Sequence, residues 1–282
     1  MNIIKRTDSK KKFVKKLYPI VDEVVERVYK KPKVKRVIFF FTDNPKKAFL
    51  DIVNPERIPH GRQYGKLEKW LSEGISSFSI QDKNTAIIMI NDLDPILKNK
   101  KAAKALIAHE FMHTIEKSYG MEPKISKIGG KQWPFIIKTL QNIGKDYETV
   151  LNDLIKLTTF FLLSIKDIIV NEKLIESGFE EEMLEWHKYF KPQRIARVNR
   201  KNLADVIISY VGYKISWIPF EVKMGMKIKY ENMLPKNIER ECNKILKELK
   251  DIKTRKFPDR EISEVVKTGL DVYRRLYKKI QH

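Results

Sequence analysis

The chain has 282 residues, of which 42% are hydrophobic and 10% aromatic, so it can bury a sizeable core and is not a disordered polymer. Lys and Arg number 57 against 36 Asp and Glu, a formal net charge of +21, which points to nucleic acid, to an acidic substrate, or to a solvated lysine-rich surface. The single Cys242 excludes an internal disulfide framework and fits a reducing compartment.

The basic residues are spread along the whole chain rather than gathered in an arm. Nucleic-acid binding is therefore expected to be non-specific and governed by charge. The N-terminal ten residues lack the apolar core of a signal peptide. The most apolar stretch, 157–170, is interrupted by Lys166 and Asp167 and falls short of the ~20 residues of a membrane span. A soluble, cytoplasmic protein without membrane contact is expected.

In chain order, Phe13, Leu17, Ile20, Val21, Val24 and Val28 recur at three and four and predict an amphipathic helix near 10–30, ended by Pro32. Residues 34–41 read as a strand, apolar on both faces from Val37 to Phe41, as in a buried strand. Asp43-Asn44-Pro45 is a turn, and short helical patches follow at 46–53 and 66–72. Residues 76–80 and 85–90 read as two strands of a hairpin. Pro95 and Asn99 lead into a helix over 101–116 that contains neither Gly nor Pro and stops at Gly120.

Pro123, Gly129, Gly130 and Pro134 then mark a loop-rich crossing. Beyond Asp146 the pattern is helical throughout: 147–178, 180–190, 203–217, 238–250 and 262–280, with Pro192, Pro219, Pro235 and Pro258 at the breaks. The expected fold class is α+β. A mixed half over 1–122 ends in the 101–116 helix, and a helical half over 123–282 follows, with a cleft between the two.

That helix carries His109-Glu110-Phe111-Met112-His113, the pattern H-E-x-x-H. Positions four apart share a helix face, so both imidazoles can reach one ion. Zinc takes neutral imidazole nitrogen at roughly 2.0–2.1 Å and keeps one position open in a catalytic site. Glu110, rotated about 100° from His109, stands beside the metal, where a carboxylate can take a proton from water. Ala102, Ala105, Leu106 and Met112 share the histidine face, which argues against a merely solvated stripe.

A third protein ligand is required. A histidine at the spacing H-E-x-x-H-x-x-G-x-x-H is absent, since Glu116 and Tyr119 occupy those positions. His60, His187, His282 and the acidic residues are the alternatives. On residues 165–179, Ile165, Ile168, Ile169, Ile175 and Phe179 form one apolar stripe, with Glu172 and Glu176 at its centre and Asp167 and Asn171 to one side. A carboxylate in such a stripe is costly unless it is paired or binds metal. Two of them one turn apart suggest one metal ligand and one group orienting a ligand histidine, or else an ion pair with a lysine or arginine.

His109-Glu110-x-x-His113 followed by Asn171-Glu172-x-x-x-Glu176 resembles the gluzincin branch of zinc metallopeptidases, whose pattern is H-E-x-x-H and then N-E-x-x-x-D. The resemblance implies zinc held by His109, His113 and Glu172, with Glu110 as general base. It puts Glu176 where that family has Asp, and it implies a zincin-like fold hydrolysing peptide or protein substrates. It also implies that strand 85–90 is the cleft edge along which an extended peptide lies. His187, Tyr210 and Tyr213 are candidates for the donor that stabilises the developing oxyanion. The second reading is a basic nucleic-acid-associated protein whose metal site is structural or serves proteolysis of DNA-bound proteins. An inactive zincin scaffold is the third.

Overall fold

The structure, a computed structural model, describes residues 1–28, 30–45, 47–48, 77–81, 84–120, 127–143, 146–190, 195, 197–227, 233–252 and 259–280. The helical patches expected at 46–53 and 66–72 lie largely or wholly outside the described residues, as do His60 and His282. Among the described residues no helix is long and apolar enough to cross a membrane. The chain forms two compact units, one of Met1–Gly120 with Glu176–Tyr189, the other of Met121–Ile175 with Phe190–His282. The fold class is α+β, and among the described residues the one sheet lies in the first unit.

That sheet has the order β1-β2-β4-β3, from β1 (Asn2–Thr7), β2 (Arg36–Thr42), β3 (Ser77–Gln81) and β4 (Thr85–Asn91). β1, β2 and β4 run parallel, with Ile4 beside Ile38 and Ile38 beside Ile87; β3 returns antiparallel on β4. Of the unbroken apolar run of β2, Val37, Phe39 and Phe41 on one face are fully buried and Ile38 and Phe40 on the other are half-buried, so the strand expected to be buried on both faces is fully covered on one. β1 was not expected from the sequence. Its residues Asn-Ile-Ile-Lys-Arg-Thr hold only two apolar side chains, and an outer strand draws its order from its neighbour's backbone.

The expected helix at 10–30 is two, α1 (Lys12–Lys15) and α2 (Tyr18–Arg27), with Pro19 in the first turn of the second. α3 (Lys100–Ser118) is the histidine helix. Asn99 caps it, its side chain accepting from the Lys101 and Ala102 amides at 3.0 and 3.2 Å. Ala102, Ala103, Ala105, Leu106, Ile107, Ala108, Phe111, Met112 and Ile115 are all buried, so α3 is covered on nearly every side. Gly120, at φ +86°, ends it.

The second unit is helical: α4 (Trp133–Ile143), α5 (Tyr147–Glu176), α7 (Leu203–Ile215), α8 (Ile218–Met224), α9 (Lys236–Lys250) and α10 (Asp259–Lys279), while α6 (Glu180–His187) clusters with the first unit rather than with the helical half. α4 overturns part of the expected loop-rich crossing. Pro134 falls in the helix's first turn, where no amide partner is lost, so it starts a helix instead of breaking one. Tyr273 and Tyr277 of α10 donate to Asp153 at 2.6 Å and Asp146 at 3.2 Å, tying α10 to α5 and the residue before it. Gly269 lets α10 come close to α5: a Cβ there would stand 2.1 Å from the buried Phe161 ring.

Candidate metal centre

α3 is fixed from three directions inside the first unit. Phe111 packs on Phe39 of the sheet at 5.8 Å between ring centroids. Lys117 donates to the Ser79 carbonyl of β3 at 2.6 Å. Lys104 donates to Glu23 of α2 and lies 3.4 Å from Glu182 of α6, which also accepts from Arg27 at 2.8 Å. Burial raises the Glu182 pKa, but the Arg27 hydrogen bond, its own backbone amide and the charges of Arg27 and Lys104 outweigh that and hold it below the ordinary value. The histidines thus stand on a helix with little freedom to shift.

One turn of α3 brings the His109 and His113 Nε2 atoms to 3.0 Å, the rings edge-on at 85°. Two nitrogens bound to one tetrahedral zinc at ~2.0–2.1 Å lie about 3.3 Å apart, so the pair needs to open by only a few tenths of an ångström. His109 is buried and His113 half-buried. Trp186 of α6 packs against His109 at 5.0 Å, an apolar wall of the kind that fixes a ring's orientation.

Glu110, also buried, accepts a hydrogen bond from the Ser77 hydroxyl at 2.8 Å. Ser77 and Trp186 are contributions that the sequence did not single out. Ser77 begins a strand more than thirty residues away, with no spacing to α3 that a pattern could carry. His187 is 1% exposed and stacks on Trp186 at 5.7 Å. Burial, with the neighbouring His109 charge, pushes its pKa down to about 3, so it is a neutral imidazole at neutral pH.

The acidic candidates belong to α5. Glu172 is buried, as the apolar stripe requires, and Lys223 of α8 has its Nζ at 3.9 Å. Asn171 is buried and Asp167 half-buried. Glu176 departs from its expected place on the buried stripe: it is exposed at the last residue of α5, while Phe179 beyond it is fully buried. Tyr210, an oxyanion candidate, has its hydroxyl engaged by Glu239 and Asn243 in the second unit, and Tyr213 is half-buried.

β4, which the resemblance implied as the cleft edge, is an inner strand. β2 and β3 take up both of its sides, so its backbone has no edge to offer. Among the described residues β3 is the outer strand on that side, and it is also the one that meets Glu110. No protein-family model, curated protein or solved structure matches this chain.

Proposed function

We propose that the chain is a zinc metallopeptidase of zincin-like design, with His109 and His113 as metal ligands and Glu110 as general base. The observation that carries this reading is the pair of Nε2 atoms meeting at 3.0 Å from one buried helix. Two imidazoles pointed at each other over that distance are a donor set that suits a divalent ion. When bound, zinc supplies Lewis acidity there, enough to bring the pKa of water to about 7.

The chain's own residues do the rest. Glu110 takes the proton of the attacking water and passes it to the leaving amine. The Ser77 hydroxyl holds that carboxylate at 2.8 Å and keeps it oriented. An extended peptide adds to the outer edge of β3, the strand that carries Ser77, by backbone pairing. The third ligand is a carboxylate of α5. The resemblance gives Glu172, the carboxylate that the apolar stripe favours, and Asp167 on the same helix is the alternative.

The deciding experiment is Glu110→Gln assayed on a mixed peptide pool with zinc supplied. Hydrolysis is expected to fall by roughly 10²–10⁴-fold while zinc stays bound, since a base is removed and no ligand is. Unchanged turnover in that variant rules Glu110 out as the base.

A further inference from the structure

The second unit buries an amine that the metal centre does not use. Lys214 is 5% exposed and follows the fully buried Tyr210 by one turn of α7. Its Nζ donates to the Tyr210 hydroxyl and lies 3.4 Å from Glu239 Oε1 on α9. The Tyr210 hydroxyl is shared in turn between Glu239 Oε1 at 2.8 Å and Asn243 Oδ1 at 2.9 Å. Amine, phenol and carboxylate therefore form a connected relay for protons.

The cluster is open on one side: Lys214 lines a cavity of about 380 Å³ together with Ile218, Asn243, Leu246, Lys247 and Lys250. That volume lies within the range of small-molecule sites. Lys247 and Lys250 are exposed at its rim; no carboxylate is among its lining residues, though Lys250 pairs with Glu221 Oε2 at 2.6 Å, so Lys247 is the cation a ligand would meet. Burial lowers the Lys214 pKa from the ordinary 10.5, against the opposing charges of Glu239, Cys242 and Glu221. A lysine less often protonated is a nucleophile.

We propose that this cavity binds a small carbonyl compound bearing an anionic group, the anion at Lys247 and the carbonyl carbon at Lys214, with which it forms an imine. The lone pair of the neutral amine attacks the carbonyl carbon. Both amine protons pass, through Tyr210 and Glu239, to the carbonyl oxygen, which leaves as water as the C=N bond forms. One amine and one carbonyl give one imine and one water, and nothing is oxidised or reduced. The assignment is independent of the zinc reading.

Pyridoxal 5′-phosphate, a phosphorylated aldehyde, is the probe. The full chain is incubated with one equivalent, the imine is trapped by cyanoborohydride as a secondary amine, and the labelled lysines are mapped by peptide mass spectrometry. Lys214 is expected to carry the largest share. Lys247→Glu, at an exposed position, is expected to cut its labelling by at least ~10-fold with an unchanged melting temperature, because the rim charge concentrates the anion. Label spread over exposed lysines with Lys214 unmodified overturns the proposal. Full labelling of Lys214 in the Lys247 variant overturns its anion half.

Discussion

Two buried polar clusters, one from each unit, are built on opposite principles. In the first, two like groups meet: the imidazoles of His109 and His113 come within 3.0 Å of each other. In the second, unlike groups meet: the Lys214 amine lies beside a phenol and a carboxylate that satisfy it. Two imidazoles brought together either share one N–H as a hydrogen bond or both offer lone pairs to a cation between them. Unlike partners need nothing further, and what chemistry they offer comes from desolvation and from the cavity they line. The same property, burial, thus accompanies both the pair proposed as a metal centre and the amine proposed as a nucleophile.

The largest effect that sharpens this contrast lies in the missing ligand. Asp167→Asn and Glu172→Gln, each titrated with zinc, are expected to separate: one weakens binding by at least ~100-fold and the other leaves it nearly unchanged. Equal, small effects in both break the three-ligand account. Next comes a packing control remote in kind from both clusters. Gly269→Ala puts a methyl group 2.1 Å from Phe161 and is expected to lower stability by about 1–3 kcal/mol in urea melts. An unchanged midpoint would show that the α5–α10 approach is looser than described.

Two pH effects of opposite sign follow. Glu182 has its folded pKa depressed, so its contribution is present above the ordinary value of 4.5 and is lost as pH falls through the folded one. Glu182→Gln should flatten the acid limb of the stability profile. Lys214 has its folded pKa lowered, so between that value and 10.5 the unfolded chain holds the extra proton and stability rises with pH. Lys214→Met should remove that rise; an unaltered slope contradicts it. Smallest of all is Lys101→Ala. Its partner Glu181 lies at 2.9 Å but both are exposed, so little or no loss of stability is expected, against a clear one for buried Lys104→Ala.

How much of this was legible in the sequence follows from the same contrast. The histidine pair comes from one helix at a fixed spacing, and period alone predicts that the rings meet. β2, the β3–β4 hairpin and the long helices were legible for a like reason, since each carries its own periodicity. The Lys214 cluster was not legible, because Glu239 and Asn243 come from a helix whose approach to Tyr210 no local pattern encodes. Ser77 beside Glu110 is the same case. β1 was hidden because its order comes from β2, and α4 because a proline reads as a break unless its place in the first turn is known. The burial of Glu172 was foreseen from the stripe and the exposure of Glu176 was not, since a stripe shows direction but not the cover at each position.

The central claim is that the His109–His113 pair is a metal centre, and its most direct test is elemental analysis of the purified protein. About one zinc per chain is expected for the wild type, and close to none for His109→Ala and for His113→Ala, with both variants still folded by circular dichroism. Full zinc stoichiometry in either folded variant, or a wild type that takes up no zinc after incubation with it, would contradict the account.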